Sequence, residues 1–213
     1  MLLALPLLVG LVVGLLTGGS FRGLAAVQLR LAWLFLLGLG IQVVLYNPWV
    51  EPWSWDIRYS HGFYLASLLL LFAGLLVNLG RVRWPLMVLA AGAALNLIVI
   101  VANGAAMPVD AHLLALARGQ HLVWLIAHNH LASNVFPATG HVRLGFLEDR
   151  LGLASSVYSI GDVLIGLGGF LVAAIEMHRT PHALPERQTR GSRMRGARSL
   201  LPMWFNADPD PQL

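Results

Sequence analysis

Five stretches of this chain, residues 1–21, 31–50, 62–80, 84–109 and 151–175, leave it few ways to fold. The first four carry no charged residue and the fifth carries one, Asp162. A helix needs roughly 20 apolar residues to cross the hydrocarbon core of a bilayer, and each stretch reaches that length. Backbone N–H and C=O groups placed in lipid must bond within their own segment, so each stretch is expected to be a helix. With 57% hydrophobic and 11% charged residues over 213 positions, too little charge is present to coat a soluble domain. The predicted fold is therefore all-α: a polytopic integral membrane bundle of five transmembrane helices.

The charges give the bundle a direction. All 14 basic residues are arginines, and Arg22, Arg30, Arg81, Arg83, Arg179, Arg187, Arg190, Arg193, Arg195 and Arg198 fall on one side of such a bundle. Only Arg58, Arg118, Arg143 and Arg150 fall on the other. The positive-inside rule then predicts an outside N-terminus and a cytoplasmic C-terminus. Nothing is charged before Arg22, so the first stretch reads as a span rather than a cleaved signal peptide. The pI near 10.3 comes largely from the tail. That placement predicts anionic lipid head groups as its partners and no nucleic acid. Absence of cysteine excludes disulfides and thiolate chemistry.

Taken in order, residues 1–178 form the membrane domain and residues 179–213 a basic tail expected to be disordered. Gly10 and Gly14 suit close helix contact. Trp49, Trp53, Trp55 and Tyr59 make an interfacial aromatic belt. Gly104 and Pro108 are expected to end the fourth helix. The external connection, residues 110–150, starts with Asp110 as the N-cap of a short helix stopped by Gly119. Residues 122–126 are too short to span and are expected on the outer interface. Pro137, Gly140 and Gly145 are expected to break the remainder of the connection into loop.

Asp162 is the most informative residue, because an ionisable group inside a span is costly and by default marks a functional site. With entry near Val157, it is predicted about two turns inside the fifth span. It is either a ligand-binding carboxylate or one tied to Ser156, Ser159 or a neighbouring helix. Depth brings Gln42, His61, Asn103 and Asp110 to the same outer level, and together these five residues are predicted to line an outward-facing polar pocket. Glu148, Asp149 and Asp162 raise a catalytic alternative, since paired carboxyls can share a proton and activate water. His128 and His130 are candidate zinc or copper ligands if their segment is extended; no other cofactor is predicted.

Two resemblances add to these readings. Ser159-Ile160-Gly161-Asp162 is similar to the Asn-x-Ala-Asp motif of lipoprotein signal peptidases, with serine in place of asparagine, which implies an aspartate-dependent hydrolase of lipid or lipopeptide. Leu95-Asn96-Leu97, Ala102-Asn103-Gly104, Met107-Pro108-Val109 and the run from Ser159 to Ile165 resemble a bacterial family of small multi-span membrane proteins of unknown function, over about residues 1–178. The chain departs from that pattern at His121 to Asn134 and at Glu148-Asp149, where a Gly-Asp pair is expected. The family implies a multi-pass protein of the bacterial cytoplasmic membrane and supplies no activity. The expected role is a membrane-embedded binding, scaffold or accessory subunit, within a larger complex or a homo-oligomer.

Overall fold

A computed structural model describes residues 4–46, 57–82, 84–128, 134–153 and 156–180. His130, the Trp49, Trp53 and Trp55 part of the aromatic belt, and the tail from residue 181 lie outside the described residues. Element order is α1 (Ala4–Leu16), α2 (Phe21–Ala25), α3 (Trp33–Tyr46), α4 (Ile57–Asn78), α5 (Pro85–Ala102), β1 (Met107–Asp110), α6 (Ala111–Arg118), α7 (Gln120–Ala127), β2 (Val135–Ala138), β3 (Leu151–Leu153), β4 (Ser156–Tyr158) and α8 (Ile160–Glu176).

The chain is mostly helical, and two helices, Tyr59–Asn78 and Pro85–Ala102, are long and apolar enough to cross a membrane. Each of the five apolar stretches contains a helix, but α1, α3 and α8 are shorter than the sequence predicts. The fourth and fifth stretches lose residues to other structure. After Ala102 the chain turns sharply, with Gly104 at φ +76° and Ala105 at φ +67°, and Met107 enters a strand. Leu151–Leu153 (β3) pairs antiparallel with Ser156–Tyr158 (β4) before α8 starts.

The all-α expectation is thus corrected. Met107-Pro108-Val109-Asp110 pairs in parallel with Val135-Phe136-Pro137-Ala138, so Pro137 lies in a strand rather than a loop. Proline is tolerated here because β2 pairs with β1 on one side only among the described residues. The crossover from β1 begins with α6 and α7. Asp110 caps α6 by accepting from the Leu113 N–H at 2.9 Å, and Gly119 stops it, as the local sequence predicts. Residues 122–126 belong to α7, an eight-residue helix.

In space α8 packs between α1 and α5, and α4 between α5 and α3. The bundle has a buried cluster at each end. Leu75, Val82, Leu86 and Ala90 form one, and Tyr64, Val99, Ile100, Met107 and Leu147 the other, where strands and helices meet. Two asparagines fix the chain at these ends. Asn78, fully buried at the end of α4, accepts from the Arg30 N–H at 2.7 Å and donates to the Arg30 C=O at 2.9 Å. Asn103, at the end of α5, accepts from the Arg143 N–H at 3.1 Å and donates to the Arg143 C=O at 2.8 Å. At the Asn78 end, the buried Glu176 carboxylate pairs with Arg179 at 3.1 Å, and Arg179 also donates to the Arg81 C=O at 3.0 Å.

Candidate functional site: two coupled aspartates

Asp162 stands in the first turn of α8, not two turns inside it, because Ser156–Tyr158 is strand. Ser159 is the N-cap in extended conformation. Its hydroxyl accepts from the Asp162 N–H at 3.0 Å, and the Asp162 carboxylate accepts from the Ser159 N–H at 3.1 Å. This reciprocal capping box satisfies helix-start donors that would otherwise be orphaned. Asn96 of α5 closes a ring. Its amide donates to Asp162 Oδ1 at 2.7 Å, and its carbonyl oxygen accepts from the Ser159 hydroxyl at 2.9 Å. The carboxylate thus meets two N–H donors at the start of α8.

The ring requires α5 and α8 to lie almost backbone to backbone. A Cβ on Gly92 would stand 2.5 Å from the Gly161 carbonyl oxygen, and a Cβ on Gly161 would overlap the Asn96 side chain. Neither position has room for a side chain.

Asp149 arrives from a different direction. Its N–H donates to the Pro108 C=O at 3.0 Å and its C=O accepts from the Asp110 N–H at 3.0 Å, so it is held as a one-residue bridge along β1. Its side chain is only 7% exposed, and Oδ1 is buried without a hydrogen-bond partner. Burial, then the Asp162 charge, then the Glu148 charge push its carboxyl up to about 8. At neutral pH Asp149 is therefore protonated beside a hydrogen-bonded Asp162. The adjacent cation, Arg150, is taken by Glu148 at 2.6 Å. Tyr64 of α4 borders the pair: its hydroxyl is hydrogen-bonded to Asn134, and its ring meets that of Tyr46 edge to face at 5.9 Å.

Each of the other predicted residues has its own setting. Gln42 of α3 donates to the Ser67 hydroxyl of α4 at 3.1 Å. Asn103 holds the Arg143 backbone, and Asp110 caps α6. His61 is half-buried near the start of α4. His128 stacks on Trp124 with ring centroids 4.6 Å apart, and its Nδ1 lies 2.9 Å from the Trp124 carbonyl oxygen. Among the described residues no three His, Cys, Asp or Glu side chains gather in a group that would hold a metal ion. Three residues that border the acid pair were not predicted as site residues: Asn96, Tyr64 and Asn134. Asn96 did carry a signal, as a polar residue within an uncharged span seven residues from Asn103; for the other two only the folded chain brings the signal.

Residues 26–174 match the model of a family of unknown function (DUF5317), so that α1 precedes the matched region. No curated protein and no solved structure matches the chain.

Proposed function

The chain belongs to DUF5317, and we propose that it is a five-span protein of the bacterial cytoplasmic membrane, a binding or accessory subunit whose working face is the outward-facing polar site around Asp149 and Asp162. The observation that carries this reading is the buried carboxyl of Asp149, whose Oδ1 has no hydrogen-bond partner and which feels the Asp162 charge at one end of the bundle. An orphaned carboxyl in a low-dielectric setting is a standing cost, and such costs are characteristic of sites that meet a ligand.

The spans in this reading are α1, α3, α4, α5 and α8. It is supported by faces that suit lipid and not water: Leu16 is 81% and Leu36 73% exposed, on helices that are apolar nearly all round. Arginine placement supports the direction. Arg30, Arg81 and Arg179 gather at the Asn78 end, and Arg143 and Arg150 at the other. The elements β1, α6, α7, β2, β3 and β4 then form an outer cap over Asp162, with Gln42, His61, Asn103 and Asp110 at its margins, and the basic tail meets anionic head groups of the inner leaflet.

Two measurements test this. Because the chain has no cysteine, single cysteines at Phe146 and Phe21 report sidedness to a membrane-impermeant maleimide. Phe146→Cys is expected to react in intact cells and Phe21→Cys only after permeabilisation; the reverse pattern overturns the topology. Mild-detergent purification with mass spectrometry then compares wild type with Asp149→Asn. A protein partner or larger complex retained by wild type and lost from the variant supports the binding role; identical material from both overturns it.

A second reading, an aspartate-dependent hydrolase of lipid or lipopeptide, is favoured by one observation: burial and the neighbouring Asp162 push the Asp149 carboxyl up to about 8, which suits it to act as the acid of a carboxyl pair. Lipopeptide cleavage that survives both Asp149→Asn and Asp162→Asn removes it. Zinc or copper at His128 and His130 is a lesser alternative, tested by metal content after both histidines are changed.

A further inference from the structure

The Asn78 end of the bundle collects positive charge that its own acids do not answer. Arg30, Arg81 and Arg179 are brought together through Asn78. Its side chain holds the Arg30 N–H and C=O, its carbonyl accepts the Arg81 N–H at 2.9 Å, and the Arg179 guanidinium donates to the Arg81 C=O at 3.0 Å. Arg22 joins them from α2, because the next residue, Gly23, lies so close to the end of α8 that a Cβ there would stand 3.0 Å from the Arg179 carbonyl oxygen. Glu176 is the one carboxylate at this end among the described residues, and it pairs with Arg179 at 3.1 Å. Arg22, Arg30 and Arg81 are exposed, and their side chains make no hydrogen bond or ion pair among the described residues. Exposed aromatic rings accompany them: Phe21 beside Arg22, Trp33 just after Arg30 and Trp84 just after Arg81 are 60%, 54% and 58% exposed.

We infer that Arg22, Arg30 and Arg81 form an inner-face site for the phosphate group of one anionic phospholipid, with Phe21, Trp33 and Trp84 at the level of its glycerol and upper acyl chains. This rests on reading the chain as a membrane protein whose Asn78 end faces the cytoplasm, and it adds a lipid ligand at that end, apart from the basic tail. Guanidinium forks match phosphate oxygens in pairs, which is why arginine suits such a head group. The aromatic rings decide between a lipid and a soluble anion. A free phosphate has no use for them, whereas the head-group region of a bilayer accepts a ring and a cation side by side. A zwitterionic phospholipid carries phosphate too, but its ammonium would meet the same three cations, so the anionic lipid is favoured. The arginines are also presented from a fixed backbone. Leu31 is held in the left-handed region at φ +49°, uncommon for a leucine, immediately after the Arg30 backbone that Asn78 grips.

The test uses the full chain in mild-detergent micelles carrying phosphatidylglycerol or phosphatidylcholine, with retained lipid read by native mass spectrometry and affinity by titration with a fluorescent phosphatidylglycerol. One phosphatidylglycerol held per chain is expected, preferred about tenfold or more over phosphatidylcholine. An arginine near an anionic lipid contributes about fivefold, so Arg30→Ala and Arg81→Ala are each expected to weaken binding about fivefold, and alanine at Arg22, Arg30 and Arg81 together about a hundredfold. Arg30→Ala keeps the backbone that Asn78 grips, and an unchanged thermal midpoint shows that its loss is not unfolding. A full-length variant with glutamine at Arg187, Arg190, Arg193, Arg195 and Arg198 is expected to keep the lipid. Equal retention of the two lipids overturns the proposal, and so does loss of lipid from the glutamine variant but not from the triple alanine variant. Displacement of the lipid by an equal concentration of glycerol phosphate overturns the assignment to a lipid. A protein partner that leaves with the three arginines, with lipid retention unchanged, also overturns it. Micelles have no sides, so a reversed maleimide pattern refutes the topology while this binding stands, and the two failures are distinguishable.

Discussion

Replacing Asp149 by asparagine is expected to stabilise the protein, and to do so more as pH rises. The carboxyl moves from an ordinary 3.8 to about 8 on folding, first because it is buried and then because of Asp162 and Glu148. A carboxyl raised in this way binds its proton more tightly when folded. Its contribution is complete below about pH 4 and is lost as pH climbs through 8, the reverse of a salt-bridged aspartate. At about 1.4 kcal/mol per unit, the three or so units between 3.8 and pH 7 amount to a loss of about 4 kcal/mol in the wild type. Asparagine matches the neutral acid in shape and does not titrate, so the variant is expected to exceed wild type by up to about 4 kcal/mol at pH 7, with a near-zero difference at pH 4. Reversible unfolding in mixed micelles, monitored by tryptophan fluorescence, measures both proteins from pH 4 to 9. Subtracting the two curves cancels the histidines and leaves a slope approaching 1.4 kcal/mol per pH unit between 5 and 7. A difference that is independent of pH, or a variant less stable than wild type at pH 8, refutes the assignment of a buried, raised carboxyl at this position.

The packing predicts three further outcomes. Gly161→Ala is expected to force α5 and α8 apart at the Asn96 contact and to cost about 3 kcal/mol or more, seen as a lower thermal midpoint than a control alanine at Gly169, which has open space around it. Asn96→Ala removes a donor from Asp162 and the acceptor of the Ser159 hydroxyl; a loss of about 2 kcal/mol is expected, and restoration by Asp162→Asn in the same chain would show that the exposed cost is the carboxylate's charge. Asn78→Ala leaves the Arg30 N–H and C=O without their partner, so about 2–4 kcal/mol is lost in thermal or denaturant unfolding, whereas Arg30→Ala, which keeps that backbone, costs little.

The sequence made legible whatever depends on neighbours a few residues apart. Asp110 with Leu113, Gly119 as a stop, and the helical core of each apolar stretch are local facts, written in residue type and spacing. The strands were hidden because Val109 and Val157 sit in apolar runs long enough to read as ends of spans, and only pairing with distant residues decides otherwise. Asp162 stands out by its cost, and its tie to Ser159 and a neighbouring helix is one of the two settings the sequence allows. Asp149 was harder. Its significance comes from burial against β1 and from Asp162, thirteen positions along the chain and beyond the paired strands β3 and β4. No periodicity encodes that meeting.

The two asparagine clamps have a consequence for how this protein tolerates change. Asn78 and Asn103 each grip a single residue's N–H and C=O, and each amide also donates to the carbonyl four residues back in its own helix, Gly74 at 2.8 Å and Val99 at 2.8 Å. Such a latch is blind to side chains: it recognises only that an amino acid with an N–H is present. Arg30 and Arg143 are therefore interchangeable with almost anything except proline as far as the latch is concerned. Loops fastened this way are free to lengthen, shorten or vary in composition between their anchors, while the helix ends beneath them stay in register.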